Sequence, residues 1–273
     1  MDAAVAIERR EAFAANRAVG RIALTIAHDG TRSRRIRVYE DGPLRARFPK
    51  GDALDAVIIN TAGGVAGGDR FAFDIEVGAH AELTLTTAAA EKVYRALDDD
   101  AIIGAKLAVD RGGSLRWLPQ EAILFDQACL RRDIDIDVAA DARLVLAEAV
   151  VFGRTAMGER MLNGRLIDRW RVRRAGELVI ADTVLLDGSV GNLLARPAVA
   201  AGGCAIGTLL VMPADAGAVD RLRTLAFDGE VGVSAWNDFM LARLAARDGQ
   251  GLRHDIRLLL TALGERLPQL WLN

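Results

Sequence analysis

Four seven-residue strings share one pattern, valine first, glycine or alanine fifth and leucine seventh: VGAHAEL from Val77, VDRGGSL from Val109, VAADARL from Val138 and VRRAGEL from Val172. They begin 32, 29 and 34 residues apart, and each reads as strand, tight turn, strand. Such spacing predicts either a stacked repeat, in which every unit buries its faces on its neighbours, or a plain antiparallel sandwich of hairpins. Both are mainly β. The segments between the turns agree, since FAFDIEV (71–77) and DIDIDV (133–138) alternate apolar and polar as strands with one buried face do. ALDAVIIN, LVLAEAVVF and ELVIADTVLL are apolar nearly throughout and predict strands buried on both faces.

After Arg196-Pro197 the character changes. CAIGTLLVM predicts a strand, and ADAGAVDRLRTLAF a helix with Val219, Leu222 and Leu225 on one stripe. GLRHDIRLLLTALGERL puts Leu252, Ile256, Leu259, Leu260, Leu263 and Leu267 at helical spacing, with Pro268 as its stop. The expected fold is therefore mainly β, stacked layers of short strands, solenoid-like or sandwich-like, with a few helices, one near the C-terminus. Residues 1–20 are expected to be an N-terminal extension. Residues 21–273 are expected to form one domain, a β body to about residue 196 with a smaller α/β portion packed on it.

Charge and cysteine content exclude several function classes. With 35 basic and 37 acidic side chains the net charge is -2, and no long run of one sign points to nucleic acid or an anionic membrane. Cys129 and Cys204 lie far apart and outside any C-x-x-C spacing, which fits a reducing compartment rather than a disulfide framework or a structural zinc site. The N-terminus mixes charges into its alanines, unlike a signal peptide, and a membrane span is not expected. A cytoplasmic location is expected.

The loop NTAGGVAGGDRF (60–71) invites a phosphate-binding reading, which its spacing rejects. A dinucleotide fingerprint needs G-x-G-x-x-G between a strand and a helix, whereas Gly63, Gly64, Gly67 and Gly68 precede a strand and have no Gly-Lys-Ser/Thr beside them. A structural corner is the expectation, with glycine supplying positive φ or close backbone approach. Nucleophilic catalysis has no footing either: no serine stands in G-x-S-x-G, and His28, His80 and His254 occur in unrelated contexts. His254 is expected on the solvated side of its helix. His80, Glu82, Thr84 and Thr86 share one face of an expected strand, read as a wet sheet face with too few ligands for a metal.

Two carboxylates stand out physically. Glu148 lies in the middle of RLVLAEAVVFG and Asp182 in the middle of ELVIADTVLLDG, each among apolar neighbours. An isolated buried carboxylate costs several kcal/mol, so such a group must pair with a cation, bind a proton or face a wet interior space. Pairing with an arginine such as Arg154 or Arg169 is one reading. A water-filled passage lined by acids, and therefore concerned with cations, is the other.

Several strings resemble a known family. NTAGGVAGGD (60–69), LTTAAAEKVYRA (85–96), WLPQEAILFD (117–126), FGRTAMGE (152–159) and LPQLW (267–271), with DGPLRARFPKG near the start, are similar in order and spacing to the signature blocks of the urease accessory protein UreD (UreH) family. The resemblance covers roughly residues 20–272. It departs from the family pattern at Ala88, Glu91 and Gln269. What it implies is a non-enzymatic scaffold, predominantly β, that binds apo-urease and a UreF-type helical protein, which in turn recruits a UreG-type GTPase carrying nickel.

The resemblance further implies no resident cofactor and a transient Ni²⁺ cargo moving through an interior channel. The acids matching such a passage are Asp69, Glu148 and Asp182, with Glu91 beside KVYR. Scattered carboxylates suit transit better than storage, because Ni²⁺ favours nitrogen donors and conduction needs sites that are readily left. The readings set beside it are a purely structural adaptor with ion-paired acids and a hydrolase using Asp69 and Glu148 as a general acid/base pair across an open cleft. The helix from Leu252 to Leu267 and the segment ending at Trp271 are candidate docking surfaces. A hydrophobic fraction of 51% predicts poor solubility without a partner.

Overall fold

The computed structural model describes residues 17–214 and 216–272. Most of the expected extension, residues 1–16, lies outside the described residues, and strand β1 already begins at Val19. The strands, in chain order, are β1 (Val19–His28), β2 (Ser33–Asp41), β3 (Leu44–Arg47), β4 (Asp55–Asn60), β5 (Arg70–Val77), β6 (Glu82–Thr87), β7 (Glu91–Val93), β8 (Ala101–Val109), β9 (Ser114–Trp117), β10 (Ala122–Leu124), β11 (Cys129–Val138), β12 (Arg143–Phe152), β13 (Gly164–Arg174), β14 (Glu177–Gly188), β15 (Ala205–Met212), β16 (Glu230–Trp236) and β17 (Phe239–Ala246). Helices are α1 (Val190–Leu194), α2 (Ala216–Arg223) and α3 (Gly249–Ala262).

The strands form two sheets. One has the order β14-β13-β11-β8-β5-β1-β2; the other runs β16-β17-β15-β12-β9-β6-β4-β3, with β7 and β10 attached beside β12. In the middle of both, neighbouring strands are parallel, because the chain passes from the first sheet to the second and returns one layer further on. The mainly β, solenoid-like stack that the sequence predicts is what forms.

The recurring strings are the corners of this stack. Val77 pairs with Val109 and Val109 with Val138, while Leu83 pairs with Leu115 and Leu115 with Leu144, all six at most 4% exposed. Two ladders of like side chains thus run through the layers, each valine ending a strand of the first sheet and each leucine opening a strand of the second. The backbone of the corners stacks too, with Asp110 N donating to Val77 O and Ala139 N to Val109 O. The fourth string breaks the rule. Val172 pairs with Ile136, two residues out of step, and Ala175-Gly176 turns back as a hairpin within the first sheet, leaving Leu178 53% exposed.

That hairpin corrects a second expectation. ELVIADTVLL was read as buried on both faces, but β14 is an edge strand and mostly exposed. ALDAVIIN, whose ordered part is β4, buries one face only. LVLAEAVVF does behave as read: β12 has the inter-sheet core on one face and a second core on the other. The second core is covered by α2 and α3, with Val219, Leu222, Leu252, Ile256, Leu259 and Leu260 against β12, β15 and β17. The amphipathic stripe of α3 is thus occupied by its own chain. This helix ends at Ala262 rather than at Pro268, because Gly264 adopts φ +73° and the amide of Glu265 closes back on Leu260 O.

Trp271 is buried against the same core and donates to Leu118 O at 2.9 Å. Thr84 and Thr86 are buried, and His80 sits on the corner before β6 with φ +58°, so the expected wet face of four polar residues does not exist. No described helix is long and apolar enough to cross a membrane.

Candidate functional site

The inner faces of the two sheets bring together a polar cluster in an otherwise apolar core. On β11 the residues that alternate inward are Leu130, Arg132, Ile134 and Ile136; on β13 they are Leu166, Asp168, Trp170 and Val172. Arg132 and Asp168 are direct cross-strand partners. Across the core, β12 presents Glu148 between Leu146 and Val150. The three charged groups meet there, each less than a tenth exposed.

Arg132 grips Asp168 with two bonds, Nε to Oδ1 at 3.0 Å and Nη2 to Oδ2 at 2.5 Å, and gives Nη1 to Glu148 Oε2. Trp117 Nε1 donates to the other oxygen of Glu148 at 2.7 Å, and Trp170 Nε1 to Asp168 Oδ1 at 3.2 Å. One guanidinium therefore serves two carboxylates, a set that carries net charge -1 when all are ionised. Removal from water dominates at Glu148 and, aided by the nearby negative charge of Asp168, pushes its carboxyl up to about 7 against the pull of Arg132. The Arg132 guanidinium is held above its ordinary range by the two acids. A protonated Glu148 balances the cluster.

Asp182 belongs to the same interior row, at its rim. It faces inward on β14, beside Trp170 in the register, and is bound by Arg243 of β17. Arg243 Nη1 also donates to Thr208 Oγ1 at 2.7 Å, and Thr208 is the cross-strand partner of Glu148. A line of polar groups, Glu148, Thr208, Arg243 and Asp182, thus leads from the core to the edge of the sandwich. Neither arginine foreseen for these acids is used: Arg154 binds Glu159 and Arg169 binds Asp133.

Asp69 and Glu91 form a different setting, in and beside the glycine loop. The loop lies against β7, with Val65 N donating to Lys92 O and Tyr94 N to Val65 O. Gly64 has φ +155°, and a Cβ there would stand 2.4 Å from the Tyr94 ring, while one at Gly67 would stand 2.5 Å from Asp99 O. Gly63 and Gly68 also have positive φ. The glycines make a close-packed corner, as expected. Asp69 is buried and accepts the amides of Ala18 (2.8 Å) and Ala66 (2.7 Å), which ties the start of β1 to the loop. Glu91 accepts from Asn60 Nδ2 at 3.2 and 3.3 Å, and the same nitrogen donates to Gly64 O. Desolvation first, with the negative Asp69 nearby, raises the Glu91 carboxyl to about 7.

Asp69 and Glu148 do not face one another across an open cleft, which removes the geometry a hydrolase reading required. Among the described residues, none of the five best-formed surface cavities has Asp69, Glu91, Glu148 or Asp182 in its wall. One grouping was missed in the sequence. Asp228, His254 and Asp255 place ligand-type atoms within 4.8 Å of one another, with His254 exposed as expected. Both oxygens of the fully buried Asp255 are taken by the amides of Asp228 and Gly229, so it serves as a loop clamp.

Comparison with known proteins bears on the whole chain. The family model described as UreD urease accessory protein matches residues 18–271. A urease accessory protein UreD of Rhodopseudomonas palustris (strain ATCC BAA-98 / CGA009) is 56% identical over 268 residues, 96% of each chain. One from strain BisB5 of the same species is 54% identical, covering 100% of this chain and 97% of its own. The protein of that name from Bradyrhizobium diazoefficiens is 52% identical over 266 residues, 96% of each chain.

Proposed function

The chain belongs to the UreD urease accessory protein family, which places it in urease maturation, and we propose that its part there is that of a non-enzymatic scaffold. It binds apo-urease and a UreF-type protein, with a UreG-type GTPase joining through the latter, in the cytoplasm. Nickel is the cargo of that assembly, not a resident cofactor of this chain. The observation that supports a scaffold is the state of the interior acids. Among the described residues, every buried carboxylate already has its partner within the chain: Glu148 and Asp168 on Arg132, Glu265 on Arg116 and Arg143, Asp69 and Asp255 on backbone amides. No buried carboxylate among the described residues is left without a partner, which favours a role carried by the surface.

The polar line from Glu148 to Asp182 favours a second reading, in which nickel passes along it. A carboxyl that titrates at about 7 exchanges its proton for a cation more readily than one locked in a full-strength ion pair. Co-expression of urease and its accessory proteins with the double variant Glu148→Gln/Asp182→Asn separates the two. Retained partner binding with normal nickel content in the urease supports the scaffold whose acids are structural. Retained binding with depleted nickel supports the passage. If the unaltered protein fails to pull down apo-urease with its UreF-type partner, both readings fall.

A further inference from the structure

We infer that the basic groove beside β2 is a docking site for an acidic, extended segment of a protein partner. Two cavities, of about 470 and 680 Å³, lie along this edge of the molecule and share Arg35 and Phe48 in their walls, so they adjoin there as a trough that follows β2 from the 48–54 loop to the end of β3. Seven cationic side chains line it against three acidic ones. Four of the cations are engaged: Arg34 with Asp29, Arg47 with Glu40, Arg116 with Glu265 and Arg266 with Asp55. Arg32, Arg35 and Lys50 form no ion pair with a described residue, and Arg35 stacks 4.6 Å over the Phe48 ring. Three unpaired cations against one unpaired acid, Asp52, leave the trough net positive in a chain whose net charge is -2.

The apolar part of the wall is equally specific in kind. Val38 and Tyr39, each 42% exposed, line the second cavity, and Phe48 joins the two. Phe48 and Lys50 come from the DGPLRARFPKG block, which the interior acids do not involve. An extended segment alternating carboxylates with apolar side chains meets both kinds of surface at once. The partner does not add a regular strand to β2, because Ile36 is an extra residue between the paired Arg35 and Arg37, and such a bulge breaks the edge. Recognition is by side chains in the trough.

Other occupants fit less well. A second copy would set like charges face to face. A nucleic acid backbone, charged at every step, would set phosphates against the apolar wall of Val38, Tyr39 and Phe48, and a free phosphate would leave most of the volume and that wall unused.

The test uses the full chain and does not depend on urease maturation as its readout, so it stands apart from the function proposed above. Fluorescence anisotropy is measured with a labelled decapeptide of alternating glutamate and valine, a lysine-valine decapeptide, a single-stranded DNA 20-mer and inorganic phosphate as competitor. The expected result is saturable binding of the glutamate peptide alone, weakened about tenfold or more by Arg32→Glu/Arg35→Glu/Lys50→Glu and by raising salt from 0.1 to 1 M. Hydrogen exchange should slow on peptide addition within residues 33–54 and leave α3 unchanged, and Arg35→Gln alone should give an intermediate loss should the triple variant fold poorly. Absence of binding at low salt overturns the proposal. So does equal binding of DNA, displacement by millimolar phosphate, or a concentration-dependent dimer that the triple variant abolishes.

Discussion

Glu148 and Glu91 both titrate at about 7, yet one is held by an arginine and the other by an asparagine amide. The common cause is loss of water, the largest influence on each. Their difference lies in what opposes it. At Glu148 a full positive charge is present but is shared with Asp168, which takes its bidentate grip; at Glu91 the bonded side chain is a neutral amide, with the Lys92 charge a smaller influence, at partial burial. An arginine within bonding distance therefore does not by itself make an interior acid a permanent anion. Loss of water outweighs it, and a second carboxylate on the same guanidinium adds to the shift.

Removing the cation breaks the comparison most sharply. Arg132→Met leaves two interior carboxyls with no positive partner, and the expected loss is about 3–5 kcal/mol in chemical denaturation at pH 7. The same variant should recover part of that at pH 5, where Glu148 is already protonated and only the bond to Asp168 is lost. Equal loss at both pH values would show that packing of the arginine stem, not charge, is what the cluster supplies.

Glu148→Gln is the next largest effect and is seen in the slope rather than the midpoint. An unfolded glutamate titrates near 4.5 and this one near 7, so the folded chain holds the proton more tightly. Its contribution is fully present below pH 4.5, declines as pH rises, and is lost above about 7, a change of about 3 kcal/mol at most for so buried a group. Denaturant midpoints of the glutamine variant should be flatter across that window than those of the parent. Glu91→Gln flattens the same window, by less, because that side chain keeps contact with solvent. Larger flattening at Glu91 than at Glu148 would mean that the arginine cluster stays ionised after all.

Much of this was legible in the sequence, and the failures are instructive. The valine and leucine ladders could be read because a corner repeats the same steric demand in each layer. The fourth string could not be rejected, since nothing local distinguishes a corner between sheets from a hairpin within one. Glu148 was visible as an acid among apolar residues. Its partners were visible by a signal that was not applied: counting by twos from Ile134 puts Arg132 on the buried face, and from Trp170 puts Asp168 there. Asp182 was misjudged because apolar composition does not say which strand is the edge. Nor does local spacing disclose that Arg243, 61 residues away, covers it.

Asp182 offers the smallest effect and the sharpest contrast with the core. Its carboxylate is paired, but its side chain is 26% exposed and that of Arg243 is 40% exposed, so water screens the bond. Asp182→Asn should cost about 1 kcal/mol or less, with a loss that shrinks in high salt. Arg243 keeps its bond to Thr208 in the variant, which limits the disturbance to the rim. A cost near that of Arg132→Met, unchanged by salt, would mean that the polar line from Glu148 outward behaves as one coupled unit. In that case a double variant with Glu148→Gln would lose less than the two single changes added.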